Sequence, residues 1–328
     1  MLLTPNHIYA NKQRTVIVSD ELAIEVKNLD KIYAASGQSA PKHALKSVNL
    51  NIPRGSIFGL LGPNGAGKST FINILAGLVK KSSGSVNVWG FNLDENPRNV
   101  SANIGVVTQE LVLDAFFTPR EVLDLQAGLY GIPEGKRITD EILKLIQLED
   151  KADAYARTLS GGMKRRLMVG KAMVHTPPIL ILDEPTAGVD IELRQQLWEN
   201  VRTLNEQGVT IVLTTHYLEE AEELCDEIAI INHGNVVACE KTTDLLSRID
   251  EKKILIKSSN APSEIPAPLA ALNIEQIDGE TYSIQVNQST TNMQDIIDAF
   301  QKANIIIEDL STKETDLEDI FLQITRQP

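Results

Sequence analysis

The chain has 328 residues, 42% apolar and 23% charged, a composition that excludes wholesale disorder and, by length, predicts two domains. Its 31 Lys and Arg face 44 Asp and Glu, a net charge of −13, which excludes sequence-independent nucleic-acid binding as its general business in the absence of a local basic patch. Two cysteines, Cys225 and Cys239, exclude a disulfide framework, fit no metal spacing and favour a reducing compartment.

In chain order, residues 1–20 read as a tail. Met-Leu-Leu gives way to polar Thr4, Asn6 and His7, with Lys12 and Arg14 later, whereas a signal peptide places its charges before an apolar block. No stretch approaches 18 consecutive apolar residues, so no membrane span is expected. Leu22, Ile24 and Val26, then Val48, Leu50 and Ile52, alternate with polar residues as half-buried strands do. Between them, residues 36–43 form a loop by their Gly, Ser and Pro content. Ile57–Leu61 is a short strand running into a glycine-rich loop, and 68–78 is a helix. Strands follow around Val86, Val88 and Trp89 and over Ile104–Val107.

From about 110 to 175 the pattern turns helical, with Val122, Leu125 and Leu129, then Ile142, Leu145 and Ile146, at helix spacing. Strands at 179–182, 209–214 and 228–231 then alternate with helices at 193–205 and 219–225, which predicts a mostly parallel sheet covered on both faces. Near 250 the register changes. Strands at 253–257 and 282–286, a helix through Ile296, Ile297 and Phe300, a strand at 305–307 and an amphipathic helix through Leu317, Ile320, Phe321 and Ile324 predict a small α+β unit. The expected division is a tail over 1–20, a main domain over 21–248 and an accessory domain over 249–328.

Three motifs carry chemistry. Gly62-Pro63-Asn64-Gly65-Ala66-Gly67-Lys68-Ser69 fits G-x-x-x-x-G-K-[ST], between a predicted strand and a predicted helix. Its glycines let successive backbone N–H groups converge on phosphate oxygens at a helix N-terminus. Lys68 is then expected to reach the β- and γ-phosphates, and Ser69 to hold Mg²⁺. Ile179-Leu-Ile-Leu-Asp183-Glu184 places two acids at the C-terminal edge of a buried strand, where ligands bind in such sheets. Asp183 suits the Mg²⁺ shell, and Glu184 suits a general base for water. Leu159-Ser160-Gly161-Gly162-Met163 opens a helix with a capping serine, either as a second anion site or simply as a capped helix.

In this order, GPNGAGKST at 62–70, LSGGM at 159–163 and ILILDEP at 179–185 resemble the three signatures of ABC-transporter ATP-binding subunits, over about residues 21–245. The fold this implies is α/β, a P-loop NTPase domain of the ABC ATPase type. It has a mostly parallel sheet with an antiparallel edge and a helical subdomain near 110–175, here followed by the small α+β domain. The ligands implied are ATP and Mg²⁺. Gly62, Pro63, Asn64, Gly65, Ala66, Gly67, Lys68, Ser69 and Thr70 match the phosphate loop, and Tyr33 stands where the family stacks a ring on adenine. Gln109 resembles the glutamine that touches Mg²⁺ or water, so Ser69, Gln109 and Asp183 form the metal set. Glu184, His216, Gln109 and Lys68 form the catalytic set. Ser160, Gly161, Gly162 and Asp190 match the segments that reach nucleotide on an opposing subunit. The lesser alternatives for these residues are a strand-end core tyrosine for Tyr33, the surface for Gln109, a structural role for His216 and an ordinary loop for Asp190.

LSGGMKRRL, DEPTAGVD, LTTHYLEEAEELCD and the terminal Leu317-Glu318-Asp319-Ile320-Phe321 are similar to subunits that energise ABC-2 type exporters, the YadG-like and drug-efflux branches. Met163 replaces the commoner glutamine, and the loop at 36–43 is long. The resemblance implies a head-to-tail homodimer closed by ATP, a separate polytopic membrane permease, a place on the inner face of the plasma membrane and no direct nucleic-acid partner. Three alternatives remain at this point: an importer ATPase, a soluble ABC ATPase acting on ribosomes or DNA, and a regulatory module without turnover. Lys164, Arg165 and Arg166 read as a solvated helix face, with a contact to ATP or a partner subunit as the alternative. The C-terminal stripe Leu317/Ile320/Phe321/Ile324 reads as core, with a dimer or regulatory contact as the alternative, and the accessory domain is expected to support dimerisation or regulation.

Overall fold

The computed structural model of the chain describes residues 22–35, 40–110, 112–187, 191–247, 251–260, 262, 265–269, 272, 274–278, 280–287, 292–313 and 317–326. It divides into two compact units that meet in sequence at Thr242 and Thr243.

In the first unit, alternating strands and uniformly apolar strands go to different sheets. β1 (Leu22–Tyr33), β2 (Lys42–Pro53), β4 (Ser83–Val88) and β5 (Phe91–Asn92) form an antiparallel sheet of order β2-β1-β4-β5. A second sheet contains β3 (Ile57–Leu61), β6 (Ile104–Val107), β7 (Ile179–Asp183), β8 (Thr210–Thr214), β9 (Glu227–Asn232) and β10 (Asn235–Lys241), in the order β10-β9-β3-β8-β7-β6. Pairing is parallel from β9 through β6. Strands β3 and β8 are buried at every position, as a sheet covered on both faces requires. The sequence marks the early strands as half-buried without assigning them to a sheet. Alternation reports one wet face but not which sheet a strand joins.

Val26, Leu50 and Val86 of the antiparallel sheet pack with Phe58, Leu60 and Val212 of the central one, around Phe71 and Ile74 of α1 (Lys68–Leu75). Helix α1 stops three residues before the expected end because Gly77 turns the chain at φ 74°. Trp89 falls in a turn at φ 51°, outside β4. The short α2 (Pro97–Ala102) leads into β6.

The helical region holds α3 (Pro119–Leu129), α4 (Thr139–Leu145) and α5 (Gly161–Met173). α3 starts at a reciprocal capping box between Thr118 and Glu121. Val122, Leu123 and Ala127 turn inward to Ile142, Leu143 and Leu167, whereas Leu125 and Leu129, at helix spacing from Val122, are exposed. β10 was not anticipated. Its exposed Val237 and Cys239 mask the period, and it pairs antiparallel on β9 to close one sheet edge. α6 (Ile191–Glu206) and α7 (Leu218–Leu224) flank β8, and α8 (Thr242–Leu246) follows β10.

Gly105 of β6 lies against the last turn of α5. A Cβ there would stand 2.4 Å from the Ala172 carbonyl oxygen. Gly105→Ala is therefore expected to push helix from strand and cost about 1–3 kcal/mol. A lower melting temperature in calorimetry checks this, and an unchanged one contradicts it.

In the second unit, β11 (Glu251–Ser258), β12 (Ile274–Gln276), β13 (Thr281–Asn287) and β14 (Ile307–Lys313) form an antiparallel sheet of order β12-β13-β11-β14. Ile254, Ile256 and Ile284 pack on Ile296 and Phe300 of α9 (Met293–Lys302), with Tyr282 edge-on to Phe300 at 5.5 Å. The strand expected at 305–307 starts only at Ile307. Asn304, at φ 60°, and Ile305 close α9 by donating to Gln301 and Phe300 carbonyls. α10 (Leu317–Arg326) ends the described chain, with Leu317 and Ile320 buried.

Candidate active site

The C-terminal ends of β3, β6, β7 and β8 converge, as ligand sites do in parallel sheets. An open cleft of about 560 Å³ lies there, lined by Asn64, Gly65, Ala66, Gly67, Lys68, Ser69, Thr70, Gln109, Glu184 and His216, with Lys42 and Ala44 of β2. Ten residues expected at the site are thus brought together.

The loop after β3 depends on glycine twice. Gly62, at φ 156°, would drive a Cβ to 2.2 Å from the Ile231 carbonyl oxygen, and Gly67, at φ 121°, to 2.7 Å from that of Ala44. A turn beyond β9 braces the loop: Gly234 N–H donates to the Ala66 carbonyl at 2.9 Å, and Lys46 N–H to that of Gly234 at 2.8 Å. Lys68 opens α1 and is buried. Its ammonium donates to the Gly62 carbonyl at 2.5 Å and the Pro63 carbonyl at 3.4 Å. Burial holds this amine below the usual lysine range, opposed by the charges of Glu184 and Asp183.

At the end of β7, Asp183 Oδ1 accepts from the Thr214 hydroxyl at 2.5 Å. Glu184 Oε2 accepts from Gln109 Nε2 at 2.9 Å and lies 3.3 Å from His216 Nδ1. Three segments far apart in sequence therefore meet on one carboxylate. Glu184 takes a left-handed backbone, φ 49°, and its surroundings hold it there. Its N–H donates to the Thr214 carbonyl and hydroxyl, at 3.0 and 3.1 Å. Its carbonyl accepts from the Arg165 guanidinium at 3.1 Å, which also donates to the Ala187 carbonyl at 3.0 Å.

Arg165 corrects the sequence reading. Far from lying on a solvated face, it is buried and grips the turn that carries Glu184. Arg166 donates to the Ile146 and Gln147 carbonyls at the end of α4. A run of charges cannot reveal which members point inward. Lys42 and Ala44 were also missed, because β2 starts within the segment read as a loop.

Tyr33, at the end of β1, does not line the cleft. Its hydroxyl lies 3.4 Å from Thr70 Oγ1 at the cleft rim, and the Lys31 ammonium sits 4.7 Å from its ring. Gly62 and Pro63 stand behind the cleft as acceptors for Lys68. Ser160 caps α5 by accepting from Met163 N–H at 3.2 Å, and Gly161 and Gly162 form its first turn. None of these three lines the cleft. Asp190 lies outside the described residues.

A phosphate-gripping loop between a parallel strand and a helix, with two acids ending a strand of the same sheet, defines a P-loop nucleotide hydrolase. More narrowly, the chain belongs to the ABC transporter family, as an ATP-binding subunit with ATPase activity. The family model "ABC transporter" matches residues 45–187. Linearmycin resistance ATP-binding protein LnrL of Bacillus subtilis (strain 168) is 33% identical over 92% of this chain and 98% of that protein. Nod factor export ATP-binding protein I of Neorhizobium galegae is 35% identical over 93% of this chain and 85% of that protein. Among solved structures, a dimeric post-hydrolysis state of the ATP-binding cassette MJ0796 bound to ADP and Pi matches with TM-score 0.59 and 30% identity, over 67% of this chain and 98% of that one.

Proposed function

We propose that the chain is the ATP-hydrolysing subunit of an ABC-2 type exporter, acting as an ATP-closed head-to-tail homodimer beneath a separate polytopic membrane permease. The observation that carries the hydrolytic part is the meeting of Gln109 and His216 on Glu184, in the cleft of Lys68. Similarity over nearly the whole length to resistance and export ATP-binding proteins supports export over import and over a soluble role.

In this reading the loop N–H groups and Lys68 hold the ATP phosphates. Glu184 takes the proton of the attacking water, and Gln109 and His216 fix its carboxylate in line. Ser69, Gln109 and Asp183 offer a hydroxyl, an amide oxygen and a carboxylate, hard oxygen donors suited to Mg²⁺. Among the described residues no three or more His, Cys, Asp or Glu side chains group to hold a metal unaided. The ion is therefore expected to arrive with the nucleotide, where it supplies charge neutralisation on the phosphate oxygens. Tyr33 is assigned to adenine, at the cleft rim.

Ser160, Gly161 and Gly162 stand away from the chain's own cleft, and this supports a role on the γ-phosphate of a second copy, together with Asp190. Among the described residues no helix is long and apolar enough to cross a membrane. The helical region exposes Val112, Phe116, Leu125, Leu129, Tyr130 and Tyr155, with Phe116 70% and Leu129 75% exposed. Such an apolar surface suits a protein partner, and the permease is the partner assigned.

The test is recovery of tagged Glu184→Gln protein from gently solubilised membranes with Mg-ATP present. A co-purifying polytopic membrane protein is expected. Ribosomes, DNA-bound factors or no membrane partner would overturn the export reading.

A further inference from the structure

Helix α7 carries four glutamates, Glu219, Glu220, Glu222 and Glu223, and one of them is where water-exposed acids do not go. Glu220 is 1% exposed. A buried carboxylate is costly unless its oxygens are occupied, and here they are. Oε2 accepts from the Thr186 hydroxyl at 3.1 Å and Oε1 from the Trp198 indole N–H at 3.0 Å. Burial pushes this carboxyl above its ordinary range, and hydrogen bonds from Thr215, Trp198 and Thr186 and the charge of Arg194 oppose the push.

The donors matter for where they lie in the chain. Thr186 is two residues past Glu184, Thr215 immediately precedes His216, and Trp198 belongs to α6, the helix that follows the Glu184 turn. Both threonines are themselves buried. A second clamp runs alongside, with the Arg194 guanidinium of α6 lying 4.4 Å from the Tyr217 ring centroid. The Glu184 turn is thus held from one side by Arg165 and from the other through Glu220.

The geometry points to Glu220 as a positioning residue for ATP hydrolysis: its buried carboxylate ties the segment that carries Glu184 to the segment that carries His216. It touches no reacting atom. A hydrophobic side chain of similar volume would fill the same space but leave the Thr186 and Thr215 hydroxyls and the Trp198 indole N–H buried without this acceptor, so the acid is required for its oxygens and not for its bulk. Its effect is on alignment, where a displacement of about 1 Å costs about a hundredfold in rate.

The experiment compares Glu220→Leu and Glu220→Gln with the wild-type full chain in steady-state ATP hydrolysis. Melting temperature and affinity for a fluorescent ATP analogue are measured beside it. Glu220→Leu is expected to lower kcat by about ten- to a hundredfold, to leave KM and analogue affinity within about threefold, and to stay folded. Glu220→Gln keeps one acceptor oxygen but turns an amide N–H₂ toward a donor, so it is expected to rescue part of the rate. A folded Glu220→Leu protein with wild-type kcat would overturn the proposal, and so would parallel losses of kcat, affinity and melting temperature. If Glu220→Leu does not fold, a cycle of Thr186→Val and Trp198→Phe takes its place. The proposal expects each to lower kcat and the pair to be non-additive, since both act through one carboxylate. Unchanged or additive rates refute it.

Discussion

Glu184→Gln is expected to lower ATP turnover by about a hundred- to ten-thousand-fold, the range for loss of a general base, while ATP still binds. The replacement is nearly isosteric, and its amide oxygen can still accept from Gln109 Nε2, which now donates to Glu184 at 2.9 Å. What disappears is the ability to take a proton from water, together with a negative charge beside the site of the γ-phosphate. Lys68, whose charge Glu184 now favours, remains free to hold the anion. Affinity should therefore hold or rise, and the ATP-bound form should accumulate. Phosphate release and equilibrium binding of ATP, measured on one preparation, decide the matter. Turnover within about tenfold of wild type would mean that another group takes the proton. A matching loss of binding would mean that Glu184 serves the nucleotide rather than the water.

Much of this site was legible because its parts are local in sequence. The phosphate loop is one contiguous motif, and each of its glycines and its lysine has a backbone reason to be there. Asp183 and Glu184 could be read because a run of four apolar strand residues has only one end at which acids reach a ligand. The residues that hold these groups were not legible, because their roles rest on which way one member of a run faces. Arg165 sits between Lys164 and Arg166, and Glu220 follows Glu219, yet it is Arg165 and Glu220 that are buried and hydrogen-bond to the segment carrying Glu184. No periodic signal separates such neighbours within a run of like charges. The same limit applies to the fold. The alternation of β1, β2 and β4 told of a wet face, but membership of a separate antiparallel sheet depends on partners far along the chain.

Lys68→Met is expected to abolish stabilisation by ATP while leaving the nucleotide-free protein as stable as wild type or more so. The two halves have one cause. In the free protein the ammonium is buried, and its amine is held below the ordinary lysine value mainly by that burial. A base whose folded-state value lies below its unfolded value costs stability while it is protonated in both states, and that cost fades as pH rises from the folded-state value toward the unfolded one. At neutral pH the cost is present, offset in part by hydrogen bonds to the Gly62 and Pro63 carbonyls. Methionine has the length to fill the space and carries no charge to desolvate. With nucleotide present the balance reverses, because charge-assisted hydrogen bonds to phosphate contribute about 1.5–3 kcal/mol each. At a ligand concentration a hundred times Kd, wild type gains about 2.7 kcal/mol from binding, and a hundredfold weaker variant gains about 0.4 kcal/mol. Melting curves with and without Mg-ATP read both effects. A large drop in the melting temperature of the free variant would show that Lys68 braces the loop rather than waiting for a ligand. An ATP-induced shift equal to wild type would remove it from phosphate binding.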